Sequence, residues 1–253
     1  MSAHPDSPVA SGIVPSPNHG ERRGPPPDML ILHYTGMASA EAALGRLRDP
    51  AAEVSAHYLV FEDGRIVQMV PESRRAWHAG AGAWAGERDL NSRSVGIEIV
   101  NPGHAGGLPP YPEAQIAAVT ALSRDVVARL RIPARRVLAH SDVAPERKED
   151  PGELFPWARL AAAGVGHHVP PAQSADGRFL TEGDAGQPVE ALQAMLALYG
   201  YDQPVTGRFD ARTRAVVTAF QRHFRPARVD GVADAATITT LRDLLAALPS
   251  DGA

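Results

Sequence analysis

The chain has 253 residues, 44% of them hydrophobic and 21% charged, with a formal net charge of −4. This is an ordinary globular composition, long enough for one large domain or two smaller ones, and it lacks the basic excess of a nucleic-acid binder. There is no cysteine, which excludes disulfides, thiolate metal sites and a cysteine nucleophile, so any metal site must be built from His, Asp and Glu.

Residues 1–28 are dense in proline and free of apolar runs, which predicts an extended arm. They contain no apolar core of a secretory signal, and no stretch of the chain reaches the roughly 18 apolar residues that suggest a membrane span. A cytoplasmic protein is expected on that basis, with the periplasm as the alternative. Met29–His33 is a short apolar run suited to a buried strand, and Ser39 is placed to cap a helix beginning at Ala40. His57–Phe61 and Ile66–Val70 flank Asp63-Gly64, a favoured turn pair, and predict a hairpin. Ser94–Val100 predicts another strand, with Val95, Ile97 and Ile99 on one face and Gly96, Glu98 and Val100 on the other. Ile116, Val119, Val126 and Leu130 recur at helical spacing and predict a helix over 112–130. Val137–Ala139 is a brief strand that delivers His140. Strands interleaved with helices predict an α/β or α+β domain over residues 29–160, α/β being the class expected.

Residues 161–177 turn to Ala, Gly and Pro and predict a linker, in which His167-His168 has no assigned role. Residues 178–249 carry an internal repeat. Gly207-Arg-Phe-Asp210-Ala211-Arg-Thr213 is echoed by Gly231-Val-Ala-Asp234-Ala235-Ala-Thr237, and each copy follows a Leu-Gln or Phe-Gln pair, Leu192-Gln193 and Phe220-Gln221. The glycine permits a tight turn and the aspartate caps the next helix. Three short helices are expected, over about 187–199, 211–223 and 235–247.

The chemistry-bearing residues concentrate around His140, followed by Lys148, Asp150, Pro151 and Gly152 in a segment of weak helical pattern. Imidazole nitrogen and carboxylate oxygen both suit zinc, and a catalytic zinc takes three protein ligands. His140 and Asp150 are candidates, and His33, at the end of the first apolar strand, is the natural third. Each also has a plainer reading: a hydrogen-bonded histidine after a strand, or a turn-forming aspartate before Pro-Gly. Glu98 projects from an otherwise apolar strand, either as an edge carboxylate in solvent or as a general base beside a metal. Lys148 is either an oxyanion partner or one of the solvated charges in Glu146-Arg147-Lys148-Glu149. His57 and His78 are candidates for orienting ligands or substrate, and Asn91 and Arg93 for lining a cleft.

Leu30–Thr35, Ser55–Val60, Ser94–Ile99 and His140-Ser141-Asp142 through Gly152 occur in order. Together they resemble the type 2 N-acetylmuramoyl-L-alanine amidases, in particular the AmiD and AmpD branch of these zinc amidases. The resemblance covers about residues 28–160. It implies a mixed central sheet flanked by helices, as in peptidoglycan recognition proteins, with His33, His140 and Asp150 as Zn2+ ligands, Glu98 as base and Lys148 as oxyanion partner. Many relatives carry Cys as third ligand, and this chain has none. They also carry a catalytic Tyr where Ala56 stands, which puts more of the base role on Glu98. Residues 180–247 resemble the three-helix peptidoglycan-binding domain, with Thr206-Gly207 replacing the usual Asp-Gly in the first copy.

The implied activity is hydrolysis of the amide between N-acetylmuramic acid, or its anhydro form, and L-alanine, with peptidoglycan or a muropeptide as partner. Two alternatives use the same fold or site: a non-catalytic muropeptide receptor, and a zinc peptidase acting within the stem peptide. No His-Glu-x-x-His occurs, which removes the commonest zincin class. The C-terminal domain is expected to hold polymer near the site and raise effective concentration, or else to dock on the catalytic unit.

Overall fold

Among the described residues there are eight strands: β1 (Gly12–Ile13), β2 (His19–Glu21), β3 (Met29–Tyr34), β4 (Tyr58–Val60), β5 (Ile66–Gln68), β6 (Arg74–Ala76), β7 (Ser94–Ile99) and β8 (Val137–Ala139). In this computed structural model, which describes residues 4–173, 177 and 179–248, six of them form a mixed sheet in the order β1-β5-β4-β7-β3-β8. Only the β4–β5 hairpin pairs antiparallel in that sheet, and β2 and β6 pair separately. Residues 1–3 of the expected arm, 174–176 of the expected linker, and 178 and 249 at the limits of the expected helical domain lie outside the described residues.

The helices are α1 (Ala40–Arg48), α2 (Leu90–Arg93), α3 (Glu113–Leu130), α4 (His140–Val143), α5 (Trp157–Ala162), α6 (Gln187–Tyr199), α7 (Ala211–Phe224) and α8 (Ala235–Ala246). None among the described residues is long and apolar enough to cross a membrane. Ser39 caps α1 through the Ala42 amide. The single turns α2 and α4 are too short to leave a periodic signal and were not expected from the sequence.

Strand alternation divides the core. Leu30, Leu32, Val95, Ile97 and Ile99 face α3 and α5, packing with Ile116, Val119, Val126, Trp157 and Leu160. Met29 and Ile31 face the other way and join Leu138, Val143, Leu192, Leu196, Val216, Phe220 and Leu241. That second cluster runs without a break from the sheet into α6, α7 and α8, so the helical domain is packed on the sheet. Elsewhere on this face, Leu59, Val67 and Val100 pack with Leu47 of α1. A cleft opens beside α1, lined also by residues of the segments around His78 and Lys148.

The repeat has a physical basis in its buried glutamines. Gln193 accepts from the Gly207 amide at 3.0 Å and Gln221 from the Gly231 amide at 2.8 Å. Each also donates to a turn carbonyl at 2.9 Å, Arg208 and Val232 respectively. Asp210 and Asp234 cap α7 and α8 through the Thr213 and Thr237 amides.

Two segments read from the sequence as an arm and a linker are docked. Residues 4–28 are extended and bonded to the domain. Gly12–Ile13 adds an edge strand to the sheet, the Glu72 amide donates to Asp6, and Asn18 donates to the carbonyls of Asp49 and Val54, both at 2.8 Å. Polar side chains bonding to distant backbone groups leave no hydrophobic period to read. The described part of the expected linker is likewise docked: Val165 is buried in the sheet–α3 core, His167 hydrogen-bonds Tyr199 at 2.9 Å, and the Ala172 amide donates to Thr240.

Candidate active site

The parallel strands β3, β7 and β8 carry chemistry at or near their C-terminal ends, where open α/β sheets present ligand sites. His33 is the fifth residue of β3 and is in register with Glu98 of β7. Ala139 ends β8, so His140 begins α4 beside them. The chain returns through Pro145–Glu149 to Asp150, whose carbonyl accepts from the Ser141 amide at 3.0 Å.

Three side chains converge. His33 Nδ1 lies 2.9 Å from His140 Nδ1 and 3.0 Å from Asp150 Oδ2, and His140 Nδ1 lies 2.9 Å from the same oxygen. All three residues are buried, and their ligand atoms lie close enough together to hold a metal ion. Ligands around a tetrahedral zinc with bonds of ~2.0–2.1 Å stand about 3.3 Å apart, so a small outward relaxation accommodates the ion.

The outer nitrogens decide the tautomers. His140 Nε2 meets the Ala79 carbonyl at 2.9 Å and must donate, leaving its Nδ1 bare. Ser94 Oγ donates to the Leu90 carbonyl and therefore accepts from His78 Nε2 at 3.3 Å. His78 Nδ1 is then an acceptor for His33 Nε2–H at 3.0 Å, which leaves His33 Nδ1 bare as well. Two bare lone pairs and a carboxylate oxygen facing one another are a donor set for a cation.

The electrostatics agree. Burial pushes the His33 imidazole down to about 4, reinforced by His140 and opposed by Asp150. Burial also depresses His78 strongly, with His33 and His57 adding to the effect.

Glu98 and Lys148 line the same cleft, of about 300 Å³, with Tyr34, Arg46, Trp77, His78, His140 and Asp150 among the other walls. Glu98 Oε2 is sealed from solvent and has no hydrogen-bond partner. Burial raises this carboxyl well above the usual range, the Asp150 charge raises it further, and Lys148 opposes them.

The remaining candidates fall behind the cleft. His57 is buried, accepts from the Gly96 amide through Nδ1 at 2.9 Å and meets the Arg74 carbonyl through Nε2. Asn91 Oδ1 accepts from the amides of His78 and Ala79, holding the loop that carries His78. Arg93 pairs with Asp28 and Glu87.

Two contributors were not singled out in the sequence. Gly96 sits under His78: a Cβ there would lie 2.5 Å from the imidazole. A glycine inside a strand is a recognisable sign of close approach. Arg147 donates to the carbonyls of Ala79 and Ala81; its place in a charge run hid it.

Residues 23–153 match the family model described as N-acetylmuramoyl-L-alanine amidase, and residues 185–241 match one described as a putative peptidoglycan binding domain. The N-acetylmuramoyl-L-alanine amidase AmiD of Escherichia coli K12 is 42% identical over 86% of this chain and 82% of its own length. The 1,6-anhydro-N-acetylmuramyl-L-alanine amidase AmpD of Enterobacter cloacae is 34% identical over 59% of this chain and 87% of its own. Among solved structures, a complex of Escherichia coli AmiD with the substrate anhydro-N-acetylmuramic acid-L-Ala-D-gamma-Glu-L-Lys superposes with a TM-score of 0.74 at 39% identity, covering 88% of this chain and 90% of that one. AmpDH3 from Pseudomonas aeruginosa in complex with anhydromuramic pentapeptide gives 0.73 at 31% identity, covering 90% and 94%. The chain belongs to the N-acetylmuramoyl-L-alanine amidase family.

Proposed function

We propose that the protein is a zinc-dependent hydrolase of the amide between N-acetylmuramic acid, or its anhydro form, and L-alanine in peptidoglycan-derived substrates. The observation that carries this reading is the convergence of His33, His140 and Asp150 at the floor of a cleft that also holds an unpartnered carboxyl, Glu98. Two imidazoles and a carboxylate suit zinc better than the all-oxygen cages of calcium or magnesium.

When bound, the ion supplies Lewis acidity to the scissile carbonyl and to the attacking water. The other steps belong to the protein. Glu98 takes a proton from the water as the carbon–oxygen bond forms and returns it to the alanine nitrogen as the carbon–nitrogen bond breaks. Its raised affinity for a proton suits it to both steps. The Lys148 ammonium balances the negative charge that develops on the carbonyl oxygen. The products are a muramyl sugar and a free stem peptide beginning with L-alanine.

The test is mass analysis of products from anhydro-muropeptides and from intact sacculi, with the zinc-loaded protein and with Glu98→Ala. Release of stem peptides beginning with L-alanine, lost in the variant, is the expected result. Cleavage within the stem peptide would make the protein a peptidase, and tight binding without cleavage would make it a receptor.

A further inference from the structure

Asp142 lies two residues after His140, in the same turn α4, and is 1% exposed. Its Oδ2 accepts from the Ala139 amide at 2.8 Å. Its two side-chain partners both come from the helical domain. His223 of α7 donates from Nδ1 to Oδ2 at 2.7 Å, and the Tyr201 hydroxyl, just past α6, donates to Oδ1 at 2.7 Å. The His223 ring is held between Trp157 and Phe224, with ring centroids 3.8 Å away on each.

The surroundings of α4 are tied to the same domain. The Val143 carbonyl accepts from the Ala83 amide, and the Ala85 amide donates to the Gly200 carbonyl. Between them, Trp84 packs edge-on against Tyr201 at 4.9 Å, and a Cβ at Gly200 would meet its ring at 2.6 Å. A module that only tethers polymer needs no more than a linker of suitable length. Here a buried carboxylate next to a candidate metal ligand takes both of its side-chain hydrogen bonds from that module, and a buried carboxylate stripped of its partners is costly.

We propose that Asp142, His223 and Tyr201 make the helical domain a positioning part of the metal centre, which holds α4 and therefore His140 in place during cleavage of small soluble muropeptides as well as of polymer. This rests on the hydrolase reading above. His223 and Tyr201 are not among the residues lining the cleft; they act through Asp142 and the backbone of α4.

The full-length chain is compared with His223→Phe, which keeps a ring between Trp157 and Phe224 but has no donor, with the near-isosteric Tyr201→Phe, and with His223→Asn, which restores an N–H near the Nδ1 position. Zinc affinity is measured by chelator competition, and kcat and KM on a single soluble anhydro-muropeptide. Both Phe variants should bind zinc about tenfold more weakly and lose about tenfold in kcat with little change in KM, and the Asn variant should recover most of both. Unchanged zinc affinity and kcat in both Phe variants, with only cleavage of sacculi reduced, would overturn the proposal and leave a tether. Losses that His223→Asn does not reverse would also overturn it. If the wild-type chain cleaves nothing while zinc affinity still follows the pattern, the hydrolase reading fails and the coupling stands.

Discussion

His33 and Glu98 are register partners on adjacent parallel strands, so a candidate ligand and a candidate base project from the same face of the sheet, side by side. Two rigid strands hold their spacing, as proton transfer at a reacting centre requires. Glu98→Gln keeps the size of the side chain and removes its basicity. It should lower kcat by about 10²–10⁴ while zinc affinity and KM stay close to wild type. Steady-state kinetics with chelator competition checks both, and an equal loss of zinc would mean that Glu98 belongs to the ligand set.

The chain from the Leu90 carbonyl through Ser94 and His78 to His33 sets which imidazole nitrogen is bare. His78→Ala removes the acceptor for His33 Nε2–H and should weaken zinc binding by about 10–100-fold. Ser94→Ala frees His78 to take its other tautomer and should cost less, in the same direction. Isothermal titration with zinc separates the two, and equal affinity in His78→Ala and wild type would show that His33 needs no such support.

Gly96 leaves the space that His78 occupies. Gly96→Ala drives a methyl group into the imidazole and should destabilise the fold by about 1–3 kcal/mol, as overpacking does, with a drop in zinc affinity alongside. Denaturant melts of the zinc-free and zinc-loaded forms measure both. A stable variant with intact zinc binding would mean that His78 can move without consequence.

His57 gives a pH signature away from the ligands. Burial, reinforced by Arg22, lowers its imidazole to about 3, against an ordinary value of 6.5. The unfolded chain therefore takes up a proton below about pH 6.5 that the folded chain refuses until about pH 3. Stability contributed by the neutral ring is present above pH 6.5 and is lost as the pH falls through that window. His57→Asn, whose side-chain oxygen can accept from the Gly96 amide, removes one such proton. It should flatten the dependence of unfolding free energy on pH by up to about 1.4 kcal/mol per unit in that range. Identical slopes in variant and wild type would place the His57 titration near its ordinary value.

The apolar runs of β3 and β7, the helical spacing of α3 and the Gly-x-x-Asp-x-x-Thr repeat were legible because burial on one face imposes a period, and because turns and caps demand particular residues. The site residues were legible only as types in motifs. His33 and Asp150 are 117 residues apart, and no local pattern states that they meet. Glu98 had two readings, solvent or cleft, until α1 on one side and the segments carrying His78 and His140–Asp150 on the other closed the walls around it.

The sequence by itself determined where the longer helices and core strands form, which of their faces are apolar and which side chains are available for chemistry. Only the tertiary structure decided that Gly12–Ile13 joins the sheet, that the helical domain packs on the face bearing His33 and Glu98, and that Asp142 finds His223 across 81 residues. The physical reason is that helix and strand periods arise from contacts between near neighbours along the chain. Polar bonds between distant segments are selected by how whole faces pack, and they leave no period to read.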